Sequence, residues 1–478
     1  MIPPDDTPSA APDFSCDRPT SGALLSEILL NAAPNVLGML GLTLMQFIDG
    51  LMLSWLDRQT PGGGVNLAAS YGGGIMAWIP LAFLSGLAQC VNTLAGQSFG
   101  RRANTDAAAF AWQGLWCAAF SILPCIGLIF LAPIIFGMLG QTGVLRHGQV
   151  VFFDFLIAAA PVNLAWMVLT SFYMGVARPV RVALAGLAGN LVNVILDWLL
   201  IFGHAGMPKL GLAGSAIATA TGTLVSFGIM AGFFLSAKTR SEFQSTRTWP
   251  FRLSKFRQLL RLGLPAGCQW SNDVLTWTIF TLWLVNHFGS NAAEAQSAVM
   301  RFIQISYLPA VGLGAAVNAV VARYWGAGDA ATARRSTRMA LALAIVYMSS
   351  CGLLFWLGGH ALARVFLVSA PQVHIAVALL IFAAFFQTFD AVNIISISAL
   401  RGTGDTLLPA ILWVVLSWGI CVAGGYAAAT FYPKAGPRGP WLMATIYVCV
   451  LGMANLFRWR HIAGRPLAPD YLPAAPPS

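Results

Sequence analysis

The stretches GLAQCVNTLAGQSFG at residues 86–100 and GLGAAVNAVVARYWG at residues 312–326 share Gly-Leu, Val-Asn and a closing Gly at a constant offset of 226 (86 to 312, 100 to 326). Each copy ends the second long apolar run of its half of the chain and leads into a basic loop. Spacing, position and loop charge agree on an internal duplication. The alternative is chance similarity between apolar segments.

The surrounding sequence points to a membrane. Of the 478 residues, 57% are hydrophobic and 9% charged, against about 25% charged in a soluble domain. Apolar runs long enough to cross a bilayer, about 20 residues each, recur from Ile28 to Phe457. Twelve spans are expected, at 28–56, 66–97, 107–139, 149–174, 181–203, 211–236, 259–287, 293–325, 337–367, 372–399, 405–430 and 440–459. The polar, basic segment 237–258 divides them into an N-lobe over 25–236 and a C-lobe over 259–460. Residues 1–24 and 461–478 are expected to be disordered cytoplasmic tails. With both ends inside, the outer segments hold only Arg58, Arg146, Lys209, Arg364, Lys434 and Arg438 of the 27 basic residues. Arg401 falls in a cytoplasmic loop, Arg301 within a span, and the rest on the cytoplasmic side. This bias is the positive-inside pattern. The expectation is an all-α protein with twelve transmembrane helices in two six-helix lobes, in a bacterial-type inner (plasma) membrane.

Several function classes are excluded. The net charge of +10 comes from basic residues between apolar runs, which suits anionic lipid and not nucleic acid. No G-x-x-x-x-G-K-[ST] run is present, so no ATP site is expected. The eight cysteines form no CxxC or Cys/His cluster, so neither zinc nor a disulfide framework is indicated. The paired His/Asp motifs of an intramembrane enzyme are absent from the sequence. Parallel duplication is common in transporters, where the substrate path runs between the halves.

Four carboxylates lie deep in expected spans: Asp49, Asp197, Asp273 and Asp390. Each costs about 2.5–3.5 kcal/mol to insert, so each is a candidate for binding a proton or cation, with a structural hydrogen-bonded role as the alternative. Asn190, Asn193 and Asp197 share one helix face, and Thr219 in the next span adds a hydroxyl. Asp273 has Gln269, Trp270 and Trp277 within one turn, a setting that suits lipophilic cations through charge and cation–π contact. Asp390 is flanked by Phe389 and Asn393. Arg301 needs a carboxylate or carbonyl partner, such as Asp273 or Asp390, or must snorkel outward.

Over about residues 25–460 the chain resembles the multidrug and toxic compound extrusion (MATE) family, in its NorM-type branch. The resemblance rests on Pro34 followed by FIDG at 47–50, GQSFGRR at 96–102, NVILD at 193–197, GSAIAT at 214–219, GLPAG at 263–267 and FDAVNIISISALRGTGDTLLP from Phe389. It implies a V-shaped pair of lobes and a cation site at Asp49, Asn193, Asp197 and Thr219. It implies a second acid pair at Asp273 and Asp390, although Asp273 stands where NorM-type proteins usually have Glu. The implied function is export of amphipathic, often cationic drugs or toxins by antiport with H⁺ or Na⁺. Na⁺ would be held at Asp273 and Asp390, or at Asp49, Asn193 and Asp197. Gln269, Trp270, Trp277, Phe389 and Arg301 are the substrate-cavity candidates. No other cofactor is implied, and a monomer among membrane lipids is expected. A lipid-linked oligosaccharide flippase of the same superfamily is the alternative.

Overall fold

A computed structural model of the protein describes residues 19–60 and 64–465. Most of both expected tails lies outside the described residues. Their described parts are helical, since the first helix starts at Ser21 and the last ends at Gly464.

All regular structure among the described residues is helical, as a chain in hydrocarbon must satisfy its backbone groups within each segment. In chain order the helices are α1 (Ser21–Gln59), α2 (Asn66–Gly100), α3 (Asn104–Phe120), α4 (Ile122–Met138), α5 (Gly143–Gly175), α6 (Pro179–Phe202), α7 (Leu212–Phe234) and α8 (Ala237–Phe243). Then come α9 (Leu253–Ile279), α10 (Ser290–Gly326), α11 (Ala330–Leu357), α12 (Gly359–Phe366), α13 (Ala370–Thr403), α14 (Leu407–Leu416), α15 (Gly425–Phe431) and α16 (Arg438–Gly464).

Eleven helical segments among the described residues are long and apolar enough to cross a membrane; α3–α4 counts as one and α14–α15 as another. The expected seventh span, α9, is not among them. Lys255, Arg257 and Arg261 crowd its first turns, and its apolar end continues as a π-helical segment, Phe280–Val285. Large apolar side chains such as Leu123, Phe130 and Leu354 stay exposed on the outside of the bundle, where lipid replaces water as the solvent.

The expected polar linker is ordered. It contains α8 and then folds back onto α3, where Trp112 donates to the Ser245 carbonyl (2.6 Å) and Trp116 to the Trp249 carbonyl (3.0 Å). Both described ends lie at one face of the bundle, hereafter the terminal face. Arg335 donates to the Pro19 carbonyl (3.0 Å) and Arg334 to the Ala463 carbonyl (2.7 Å).

The duplication is visible in the backbone. After α2, Arg102 adopts φ 60° and the Ala103 amide bonds back to the Ser98 carbonyl. After α10, Gly328 adopts φ 83° and the Asp329 amide bonds back to the Tyr324 carbonyl. These are equivalent left-handed helix ends.

The halves are not separate in their packing. Leu24 and Ile28 of α1 belong to an apolar cluster built mainly from α10, α11, α13 and α16. Leu259 and Ala266 of α9 belong to one built from α2, α3, α5 and α7. Each half thus sends its first helix onto the second helix of the other. Small residues permit the approach. A Cβ on Gly86 would lie 2.5 Å from the Ala266 carbonyl oxygen, and one on its repeat partner Gly312 would lie 2.8 Å from a Val36 methyl.

Candidate functional site

In the first half, α1, α6 and α7 bring Asp49, Asn193, Asp197 and Thr219 together. Small residues set the helix spacing. Gly222 of α7 lies against the Gly189 carbonyl and Asn193, and Gly41 of α1 lies against the Asn190 amide. Asn193 donates to Thr219 Oγ1 at 3.3 Å. The carboxyl groups of Asp49 and Asp197 face each other at hydrogen-bonding range. Asp197 is fully buried. Asp49 Oδ1, Asn193 Oδ1 and both Asp197 oxygens are buried without a protein donor. Ser215 adds a hydroxyl beside Asp197, and a pocket of two facing carboxyl groups with amide and hydroxyl oxygens around them fits a proton or a hard monovalent cation. Among the described residues, no group of three or more His, Cys, Asp or Glu is arranged to hold a metal ion.

Between the halves lies a cavity of about 1000 Å³ including its mouth. Its walls come from α1, α2, α5, α9, α10, α13 and α14, and include Asn35, Met39, Asn92, Tyr307, Asn318 and Asn393. Gln269, Trp270 and Asp273 reach it from α9. The Trp413 and Trp277 indoles lie beside the Asp273 carboxyl group. Asp390 sits behind Asp273, near enough to interact with it and adjoining Asn393. Tyr307 and Tyr447 feel both acids.

The other cavity candidates do not line the cavity. Trp277 packs edge-on against Phe280 at 5.5 Å, in the core of the second half. Phe389 packs against that same core. The expectation that Arg301 lines the cavity is corrected. Arg301 is exposed on α10, with its guanidinium 5.3 Å from the centroid of the Phe366 ring and Glu294 beside it in a surface pocket. An aromatic face near the helix end satisfies that cation more cheaply than the apolar interior would.

The cation that does reach the cavity is Arg401, placed by the sequence reading in a loop. The α13 helix runs on to Thr403, capped by Gly404 at φ 91°, so Arg401 remains helical and is only 7% exposed. Its guanidinium donates to Gln89 Oε1 of α2 (3.1 Å) and Gln269 Oε1 of α9 (2.9 Å), and lies 5.6 Å from the centroid of the Trp270 ring. One signal was available. Arg401 follows Asp390 by 11 residues, about three helical turns, and so shares its face of α13.

The halves are locked together at the terminal face. Arg323 of α10 pairs with Glu27 of α1 (2.7 Å) and donates to the Met174 and Gly175 carbonyls of α5. Gln97 donates to the Gly402 carbonyl (2.9 Å), and Thr93 to Asn318 Oδ1 and the Arg401 carbonyl (3.0 Å each).

Known proteins share this sequence and shape. The MatE family model matches residues 34–199 and 274–426. A probable multidrug resistance protein NorM of Mesorhizobium japonicum is 28% identical over 436 residues, covering 90% of this chain and 92% of its own. Multidrug resistance protein PmpM of Pseudomonas aeruginosa is 28% identical over 429 residues, covering 88% and 87%. The solved structure of a MOP superfamily transporter from Pyrococcus furiosus superposes with a TM-score of 0.82 at 19% identity, covering 94% of this chain and 99% of that one. An outward-facing multidrug resistance MATE family transporter gives the same TM-score, identity and coverage. The family match spans more than half of the chain and both of its repeats, and the chain belongs to the MatE family, whose members are membrane transporters and not enzymes.

Proposed function

We propose that the protein is a secondary antiporter of the NorM type. It exports amphipathic, often cationic molecules in exchange for inward H⁺ or Na⁺. The observation that carries this reading is the pocket of Asp49, Asn193, Asp197 and Thr219, in which the buried Asp197 carboxyl group faces that of the half-buried Asp49 and no basic side chain forms an ion pair with either among the described residues. Two carboxylates this close cannot both stay ionised unless a cation lies between them; otherwise one takes a proton. Helix α1 joins this pocket to the substrate path, since it carries Asp49 and also the cavity residues Asn35 and Met39. Asp273 and Asp390 are a second candidate for the same role, placed where an arriving cation and a cationic substrate compete for one carboxylate. The names of the relatives support multidrug export.

In this reading residues 25–236 and 259–460 act as two lobes of a monomer in the inner membrane, with both termini cytoplasmic. The lock at the terminal face then closes the cytoplasmic side. Arg401 is the feature that favours the flippase alternative, because a pyrophosphate lipid needs cations. Among the described residues a single guanidinium lines the cavity and Asp273 lies near it, which fits the antiporter better.

The deciding experiment is dye efflux from proteoliposomes under an imposed H⁺ or Na⁺ gradient. Gradient-driven efflux that is lost in Asp49→Asn supports antiport and names the ion. No movement under either gradient from folded protein overturns it.

A further inference from the structure

We propose that the cavity is bipolar and selects zwitterionic substrates, with Asp273 taking a cationic group and Arg401 an acidic one. The proposal rests on the transport reading above and adds the chemical class of the substrate.

The geometry places the two poles side by side. Asp273 and Gln269 are one turn apart on α9, about 6 Å along the axis. Arg401 is tied to Gln269 at 2.9 Å and faces Trp270. Asp273, Trp270 and Arg401 therefore present an anion, an aromatic face and a cation along one wall of the cavity. Gln269 stands between the charges. Among the described residues Arg401 forms no ion pair with a carboxylate, and its Nε–H is buried without an acceptor.

A guanidinium hydrogen-bonded only to two neutral amides, with Asp273 acting on it across Gln269, is costly in such a site. A strut between α2 and α9 would not need the charge. The open Nε–H instead matches a carboxylate or phosphonate on a ligand, which takes a guanidinium in two-point fashion. The ligand's ammonium or delocalised cation then reaches Asp273 across the Trp270 face.

The test uses a matched pair of dyes, rhodamine 110, which has a free carboxylate, and rhodamine 123, its methyl ester. Binding is measured on the whole purified protein. Wild type is expected to bind rhodamine 110 at least about tenfold more tightly, the scale of one charge-assisted contact. In Arg401→Gln the ratio of affinities falls toward one, while that of Arg401→Lys, which keeps the charge but not the two-point geometry, falls between wild type and Arg401→Gln. Gln89→Glu, which supplies an internal carboxylate to the guanidinium, also removes the preference and serves if Arg401→Gln does not fold. Equal binding of the two dyes by wild type, or an equal loss for both in Arg401→Gln, overturns the proposal. A preserved binding preference without transport of either dye under H⁺ or Na⁺ gradients overturns the antiport reading and supports the bipolar cavity.

Discussion

Gly100 and Gly326 close on each other's helices in the same way: a Cβ on Gly100 would strike the carbonyl of Arg323, and one on Gly326 would strike the carbonyl of Gln97. Residues 97 and 100 map onto 323 and 326 by the offset of the repeat. The contact at the terminal face is thus a pseudo-twofold handshake between α2 and α10.

Closure at that face should not tolerate a side chain at either glycine. Gly100→Val is expected to open the terminal face, because the obstacle is backbone and cannot rotate away. In a background without native cysteines, labelling of Thr93→Cys from the terminal side should rise several-fold in Gly100→Val. Unchanged labelling would show that the handshake does not hold the closed state.

Glu27 and Arg323 reinforce the same contact. The Arg323 side chain is 1% exposed and that of Glu27 24%. Glu27→Gln is expected to cost about 1–3 kcal/mol, below the value for a fully buried pair because Glu27 reaches solvent. Replacing both residues with apolar ones should cost less than the sum of the single changes. Thermal unfolding of the four proteins in detergent reads the cycle, and strict additivity would mean that the two side chains do not act together.

Asp49→Asn places an amide donor against Asp197 in place of a second acid. Stability is expected to hold or rise, while gradient-driven efflux falls at least about tenfold. If Na⁺ is the coupling ion, NaCl in place of KCl should stabilise wild type by about 2.7 kcal/mol at a hundred times the dissociation constant. Asp49→Asn should abolish that difference. Full efflux by Asp49→Asn would remove the pocket from the coupling mechanism.

The spacing of α6 and α7 can be tested apart from any charge. A Cβ on Gly222 would lie 2.7 Å from the Gly189 carbonyl and 2.9 Å from Asn193 Cβ, whereas one on Gly228 would meet nothing within 4 Å. Gly222→Ala should destabilise by about 1–3 kcal/mol and weaken coupling by displacing Asn193 from Thr219. Gly228→Ala should leave both close to wild type. Equal effects in melting and efflux assays would refute the packing argument.

Arg301 lies outside the cavity, so Arg301→Ala should change dye affinity by less than about twofold. A larger loss in a binding titration would return Arg301 to the substrate path.

The candidate site was legible where it follows one helix. Asn193 and Asp197 lie one turn apart on α6, and Gln269 and Asp273 one turn apart on α9, and such spacings survive folding unchanged. Relations between helices were not legible. That Asp49 meets Asp197 depends on α1 lying across α6, and that Arg401 joins Gln89 and Gln269 depends on α13, α2 and α9 converging. Arg401 reaches the cavity that Arg301 was expected to line, and Arg301 stays on the outside of α10. The sequence marks both as cations near apolar runs, while helix rotation and the true end of α13 decide which one faces the cavity.

The sequence alone determined the helices and their duplication, because a chain in hydrocarbon must close its own backbone hydrogen bonds and the repeat keeps its register over 226 positions. It could not determine which faces meet, because nearly every face is apolar and carries no amphipathic signal. The tertiary structure decided that. Close backbone contacts at Gly86, Gly100, Gly312 and Gly326 fix how the halves interlock, and the interlock puts Asp273 and Arg401 on one wall of the same cavity.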